Sequence, residues 1–503
     1  MQKFDVVIVG AGISGVCAAY HLSDQCNDKS YVILENRAAM GGTWDLFRYP
    51  GIRSDSDMHT LGFNFKPWTE AKAIADGPAI RKYVNETANE FDIAQNIRFK
   101  HSVKSASWSS EDATWTVVAE HDGADVVFQC NFLMMCAGYY NYAEGFTPEF
   151  KGMESYQGTV IHPQHWPEDL DYSGKKMVVI GSGATAMTIV PAVSDQVESV
   201  TMIQRSPTYV VSRPGEDWLA NTLRKILPDS WAYSITRFKN TRMQDYMYKQ
   251  TRVNPEKVKA RLLGWVREAL GPDYDVDKHF TPSYNPWDQR LCLIPDADLY
   301  KAINNGKAKV ITGEIDTITA NGIRMSDGQE VEADILVTAT GLNLQLLGGA
   351  EFKVDGQLVD FPNTYSYKGM MYSDIPNLIQ TFGYVNASWT LRADLTSEYA
   401  ARVINHMDEL GVNVVTPRLR EEDREMETRN WIEDFSAGYM QRVMHLFPKQ
   451  GSKNPWRNTQ DYFLDKKLVR KAPLEDGALI FGPSEQIVAA PNDALKTEDR
   501  SAA

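Results

Sequence analysis

Two glycine-patterned turns, each set directly after a short apolar run, limit this chain more than any other feature. Phe4 to Val9 is continuous and rich in β-branched residues, as a buried parallel strand requires, and it runs into Gly10-Ala-Gly12-Ile-Ser14-Gly15. Lys176 to Ile180 repeats the arrangement and runs into Gly181-Ser182-Gly183-Ala184-Thr185-Ala186. A helical pattern follows each turn. The glycines permit a tight bend, close approach of backbone to a pyrophosphate and close helix–strand packing, which alanine in the third place still allows. The free amides of each new helix N-terminus then face the phosphates. The expected fold is α/β, with two Rossmann-like dinucleotide-binding domains.

The residues some twenty positions beyond each turn separate their ligands. The strand Tyr31 to Leu34 ends in Glu35, twenty residues past Gly15, where an acid accepts hydrogen bonds from an adenosine ribose. Nineteen residues past Ala186 stand Arg205 and Ser206, and an arginine there pairs with a 2′-phosphate, which favours NADPH over NADH. Each unit also has a closing strand that ends in a small turn, Phe132 to Gly138 and Asp334 to Gly341. Beyond the first acid, Gly41 and Gly42 let backbone lie against a flat ring system. Thr43, Trp44, Asp45, Leu46, Arg53, Ser54, Asp55 and, further on, Val103 are assigned to the same cofactor lining.

At 503 residues the chain has room for two or three domains. The FAD-type unit is expected over 1–145 and 375–490, with a β-meander between Asn96 and Gly138. The NADPH-type unit is expected over 146–214 and 286–374, a helical insertion over 215–285, and a loose tail over 491–503. In the insertion, Trp218, Leu219, Leu223, Ile226, Val258, Leu262, Leu263 and Val266 recur at helical spacing and read as core. Arg237, Lys239, Arg242, Lys249 and Arg252 between them read as a solvated helix face, with peripheral membrane contact the alternative. The charged run Arg418 to Arg429 reads as an exposed helix.

A net charge of −14 argues against nucleic acid, whose phosphates demand a basic surface. Five cysteines without a C-x-x-C pattern disfavour a disulfide framework, a zinc site and a redox-cysteine reductase. No run reaches the roughly 18 apolar residues of a spanning helix, and the apolar start reads as strand, turn and helix rather than as a leader. The expectation is a cytoplasmic protein.

Between the two turns lies Y-Q-G-T-V-I-H-P-Q-H-W-P, residues 156–167. Pro163 and Pro167 forbid a regular helix there, so Gly158, His162 and Trp166 read as an extended strap joining the two units. His162 and His165 lack a further ligand, and no metal is expected. This stretch resembles the F-x-G-x-x-x-H-x-x-x-W signature of the Baeyer–Villiger monooxygenases, class B flavoprotein monooxygenases, with Tyr156 in place of phenylalanine. Gly42, Trp44, Tyr49-Pro50-Gly51 and Asp55 match that family's second signature. G-G-T-W-D-L-F-R-Y-P-G-I-R-S-D-S-D-M with T-L-G-F-N-F-K-P-W resembles the branch that contains the ethionamide-activating monooxygenases.

The resemblance implies FAD in the first unit and NADPH in the second, and an O2-dependent conversion of ketones to esters or lactones through a C4a-peroxyflavin and a Criegee-type adduct. It also implies oxidation of sulfides or thioamides. It places the catalytic arginine on Arg290, its acidic partner on Asp55, and domain linking and NADP positioning on Gly158, His162 and Trp166. The chain departs at Gln289, where many members carry lysine, so the NADPH preference rests on Arg205. A flavin-containing N- or S-oxygenase is the alternative, disfavoured by Trp166, and a non-enzymatic flavin-binding sensor is disfavoured by Arg290 with Asp55.

Overall fold

The structure, a computed structural model, describes residues 1–482. The tail expected over 491–503 lies outside them, as do residues 483–490. Strand β1 (Gln2–Val9) is central to the first sheet, its second half buried on both faces as the V-V-I-V run demands. It pairs in parallel with β2 (Tyr31–Leu34), and β3 (Ile97–Arg98) extends that edge. Strands β4 (Ser102–Ser109), β5 (Thr114–His121) and β6 (Ala124–Met135) form the expected meander. The last half of β6 returns in parallel against the other side of β1, so meander and Rossmann strands are one sheet. Alternate residues of β5 are buried, and among them Trp115 packs on Trp108.

Strand β7 (Tyr140–Gly145) leads out of this sheet. Strands β8 (Thr159–Ile161), β9 (Lys176–Ile180) and β10 (Ser199–Gln204) then join Ala308–Thr312 and Ile335–Thr338 in a second sheet, parallel throughout. In both units the first glycine of the turn has positive φ and abuts the closing strand. A Cβ on Gly10 would stand 2.6 Å from the Cys136 carbonyl oxygen, and one on Gly181 would stand 2.2 Å from that of Ala339. The two closing strands noted in the sequence therefore occupy equivalent places.

Residues 156–167 take a different position from the one expected. They do not cross between the units: β8 is an edge strand of the second sheet, and Pro163–His165 makes one 3-10 turn, with proline at the helix start where its missing N–H costs nothing. The crossings are β7 and Leu342–Leu344, which pair antiparallel with each other. The chain re-enters the first sheet at Glu351–Val354, in parallel with β4 and ahead of residue 375.

The insertion hangs from a parallel ribbon, Tyr209–Arg213 with Leu291–Pro295. It contains the helices Trp218–Leu223, Asp229–Val253, Pro255–Leu270 and Val276–Phe280. Leu262, Leu263 and Val266 are core as expected, whereas Trp218 and Ile226 are exposed. Arg237, expected on a solvated face, is buried. It donates to the carbonyl oxygens of His59 at 2.9 Å and Gly62 at 2.8 Å, and to Asp394 at 3.2 Å on helix Trp389–Leu410. Burial pushes the Asp394 carboxyl up, but the His21 hydrogen bond and the Arg237 charge outweigh it and hold the group below its usual range. This pair pins the insertion to the first unit.

The run Arg418 to Arg429 is not a helix but a 3-10 turn at Glu421–Asp423 and a short strand, Thr428–Asn430. Asp423 points inward, taking Arg420 Nε at 2.7 Å and Trp456 Nε1 at 2.8 Å. A buried carboxylate with those partners fixes a turn where charge density alone suggested a solvated helix.

Arg237→Met leaves Asp394 buried without its counter-charge. The expected loss is about 3–5 kcal/mol, seen as a lowered thermal midpoint; a variant that melts with the parent shows that the pair contributes nothing.

Candidate functional site

A cavity of about 690 Å³ runs between the two units and the insertion, within the roughly 300–1,000 Å³ of ligand sites. Its floor is the first glycine turn. Helix α1 (Ile13–Gln25) begins at Gly12 with no side-chain cap, so its first amides are free for an anion. A Cβ on Gly12 would lie 3.4 Å from the Cα of Gly42, so two bare backbones face each other there. Gly15 lies beneath, where a Cβ would strike the Gly10 carbonyl. Glu35 reaches the cavity from the end of β2. Its carboxylate accepts the Ala11 N–H at 2.7 Å and the Arg37 N–H at 2.9 Å. Burial raises this carboxyl, and the two N–H groups oppose the rise. Each oxygen accepts one N–H and keeps further acceptor capacity, as ribose hydroxyls would require.

Thr43, Trp44, Arg53, Ser54, Asp55 and Val103 also line the cavity. Arg53 is occupied across the unit boundary, pairing with Asp298 and donating to the Met187 carbonyl. Asp45 and Leu46 are not in the lining. Asp45 is buried among three guanidinium groups, Arg37 at 2.8 Å, Arg48 at 2.7 Å and Arg81 at 3.0 Å, and Leu46 belongs to the second unit's core cluster.

Arg290 enters the same cavity from just before the strand Leu291–Pro295. Its Nη1 lies 3.4 Å from Asp55 Oδ2, longer than the roughly 2.7–2.9 Å of a tight charge-assisted bond. Among the described residues Asp55 is its sole hydrogen-bond partner, which leaves most of its five N–H donors free. The guanidinium is held firmly charged, first by the Tyr439 oxygen and against the cost of burial, then by Asp55, Tyr139 and Tyr140. Tyr139 and Tyr140 share a hydroxyl contact of 2.8 Å, and burial above all pushes both phenols up, so both stay protonated. Tyr139 stacks on Trp389 at 5.1 Å, and the Trp389 indole donates to Ser14 Oγ at 2.7 Å.

The second turn meets the cavity only through Ala184 and Thr185, at the start of a helix that also lacks a side-chain cap. Gly181 and Gly183 shape the turn, and Ala186 is buried behind it. Ser182 Oγ bonds the Ser206 carbonyl at 3.1 Å. Arg205 is exposed at the end of β10 and has no carboxylate partner among the described residues. A bent glycine turn, an uncapped helix and an unpaired arginine suit a phosphorylated dinucleotide.

The strap residues lie outside the cavity lining. His162 Nδ1 accepts the Gln164 N–H at 3.2 Å, so Nε2 is the protonated nitrogen, which donates to the Gly341 carbonyl at 3.1 Å. Its ring lies against Gly145, where a Cβ would come within 1.9 Å. His162 thus touches both chain crossings. Trp166 is buried beside Tyr172, and a Cβ on Gly158 would meet the Asp334 carbonyl at 2.5 Å.

The sequence reading missed Tyr139, Tyr140, Trp389 and Tyr439. The first two follow Gly138 directly, and their place at the end of a closing strand was the available signal. Trp389 and Tyr439 come from the C-terminal segment, where no motif marks them.

Comparison with known proteins gives matches across the chain. A model described as flavin-binding monooxygenase-like matches residues 70–262, and one for an NAD(P)-binding Rossmann-like domain matches residues 8–77. FAD-containing monooxygenase EthA of Mycobacterium tuberculosis is 53% identical over 481 residues, covering 95% of this chain and 98% of that protein. The putative FAD-containing monooxygenase MymA of the same species is 45% identical over 491 residues, covering 96% and 99%. Among solved structures, an oxidised steroid monooxygenase bound to NADP superposes with a TM-score of 0.76 at 21% identity, covering 96% of this chain and 100% of that one. An open cyclohexanone monooxygenase superposes at 0.72 with 20% identity, covering 84% and 91%. At such identities these structures speak for the fold.

Glu35→Gln sets an amide NH2 against one of the two backbone N–H donors. An unsatisfied buried donor costs about 1–3 kcal/mol of stability, and losing a charged acceptor for the ribose hydroxyls weakens binding by about 1.5–3 kcal/mol, so dinucleotide retention through ultrafiltration is expected to fall roughly ten- to a hundredfold. Unchanged retention removes Glu35 from the binding site.

Proposed function

This chain belongs to the FAD-containing monooxygenases that include EthA and MymA, and from that membership we propose that it oxygenates ketones, and sulfides or thioamides, at the end of the cavity where Arg290 faces Asp55. It is an oxidoreductase that uses FAD and NADPH. The observation that carries the reading is Arg290 itself: a permanently charged group with free N–H donors, aimed by one carboxylate into a cavity that begins at the first glycine turn.

In this proposal Gly10, Gly12, Ser14, Gly15 and Glu35, with Thr43, Trp44, Arg53, Ser54, Asp55 and Val103, would hold FAD. NADPH lies over the second turn, with its 2′-phosphate on Arg205 and Ser206. The FAD unit comprises both arms of the first sheet, the NADPH unit the second sheet, and the insertion caps them. Bound FAD, reduced by NADPH, supplies the activated oxygen. For a ketone, NADPH, O2 and a proton enter, and an ester, NADP+ and water leave.

The chain's own residues do the rest. The carbonyl oxygen gains negative charge as it is attacked, and Arg290 donates N–H groups to it. A preorganised donor of this kind typically supplies about 3–4 kcal/mol. Asp55 accepts one N–H and fixes the direction of the others. Tyr139 and Tyr140, kept protonated by burial, add no competing anion beside Arg290, and with Trp389 they would help keep water from the cofactor end of the cavity. His162, neutral at physiological pH because burial lowers it, holds the crossings β7 and Leu342–Leu344 in register beside the NADPH unit.

Two variants test the assignments. Arg290→Ala is expected to keep FAD and NADPH-driven flavin reduction while product formation falls roughly a hundred- to a thousandfold; ester or sulfoxide appearing at the parental rate defeats the proposal. Arg205→Ala is expected to raise the KM for NADPH roughly tenfold and leave that for NADH alone, since only the phosphate contact is lost. An equal change for both coenzymes removes Arg205 from phosphate recognition.

A further inference from the structure

The long helix Asp229–Val253 is turned inside out. The side facing the protein carries Thr236, Arg237, Asn240 and Thr251, all buried. The side facing solvent carries Trp231, Ile235, Phe238, Tyr246 and Val253, between 45% and 71% exposed. Their spacing keeps those five on one face at about 3.6 residues per turn, over about 33 Å at about 1.5 Å per residue. Exposed Arg242 shares the stripe, its guanidinium 4.0 Å from the Phe463 ring centre. Scattered exposed apolar residues are ordinary, but five aligned on one helix face, with exposed Arg242 and Lys249 between them, mark an interaction surface. The preceding helix packs on this one and adds Trp218, and Ile226 stands beyond its end, at 73% and 72% exposure. Exposed Lys225 beside Ile226 has no carboxylate partner among the described residues.

The cavity supplies a second observation. Trp218, Met243 and Trp265 line it and are also 73%, 41% and 46% exposed. The space that holds Arg290 at one end therefore reaches exposed Trp218 and Trp265 of the insertion, beside the stripe rather than through it. Charge supplies a third. The chain carries a net −14, yet the insertion has more lysine and arginine than aspartate and glutamate.

We propose that the insertion docks on an anionic lipid bilayer, with the stripe at the boundary between headgroups and acyl chains, and that apolar substrates enter the cavity from the lipid. Tryptophan and tyrosine suit that boundary, and an apolar helix face flanked by lysine and arginine binds anionic lipid in the plane of the surface. A second copy would bury the same residues, but a two-fold contact sets the basic face against itself, so an anionic surface is the better complement. The entry half rests on the monooxygenase reading above. The docking half does not, and it is measured without turnover.

The test uses the FAD-loaded protein and sedimentation with vesicles of phosphatidylcholine alone or mixed with phosphatidylglycerol. Binding to the mixed vesicles is expected to be roughly tenfold tighter and to weaken with salt. The double variant Trp231→Ser with Phe238→Ser is expected to lose that binding while keeping FAD content, thermal midpoint and turnover of a water-soluble ketone. Lys225→Glu is expected to reduce the preference for the anionic vesicles. Docking is overturned if the parent fails to sediment with either vesicle or if the double variant binds as the parent does. It is also overturned if the double variant only dissociates a dimer, which gives the face to a second copy. For entry, mixed vesicles are expected to raise kcat/KM for a long-chain ketone in the parent and not in the double variant. An equal response in both overturns entry alone, and oxygenation of no substrate overturns the monooxygenase reading while the sedimentation result stands.

Discussion

At the end of β1 the backbone of Gly10 passes so close to Cys136 that a Cβ would stand 2.6 Å from the carbonyl oxygen, and Gly181 meets Ala339 in the same way at 2.2 Å. Both glycines have positive φ, a conformation that a side chain would resist even with space available. Because the closing strand is held this near, the turn ends at the mouth of a helix whose first amides lack a cap. Each sheet thereby presents an uncapped helix end at the same edge as its closing strand, and residues of both turns meet the cavity there. The constraint is steric and backbone-level, which is why it recurs in both units with different side chains around it.

The two units are joined by a pair of crossing strands that bond to each other, β7 with Leu342–Leu344. His162 lies against this pair, donating to Gly341 and covering Gly145. Its second nitrogen is satisfied by Gln164 N–H, so the ring works as a neutral clamp with one fixed tautomer. The strap thus controls the crossing from beside it, as an edge strand of the second sheet. Arg53, reaching from the first unit to Asp298 of the second, adds a charged tie at the other end of the boundary. A cavity built from both units depends on these contacts, because each unit alone supplies only part of its wall.

The insertion obeys another logic. Arg237 and its buried polar neighbours fasten one face of the long helix to the first unit through His59, Gly62 and Asp394. With the polar side occupied, the apolar side is left outward. On the neighbouring helices the periodicity read as core holds for Leu262, Leu263 and Val266 and fails for Trp218 and Ile226, because spacing says only which residues can share a side.

Sequence determined the elements whose signals are local. Apolar run, glycine turn and an acid or arginine some twenty residues on belong to a single local strand–turn–helix, so both turns were legible, with Glu35 and Arg205 just past the strands where the spacing puts them. The meander was legible from its alternation. Tertiary structure decided whatever joins distant segments. Asp55 and Arg290 are 235 residues apart, and only a resemblance, not spacing, paired them beforehand. Trp389 reaches the cavity from a segment without a motif, and Tyr439 comes from the same segment to stand near Arg290. Asp45 and Leu46 sit within a good signature yet turn away, one to three arginines and the other to the core. Charge runs misled in the same way: Arg237 is buried on His59, Gly62 and Asp394, and Asp423 on Trp456 as well as nearby Arg420, and a window of neighbouring residues does not show the distant partners.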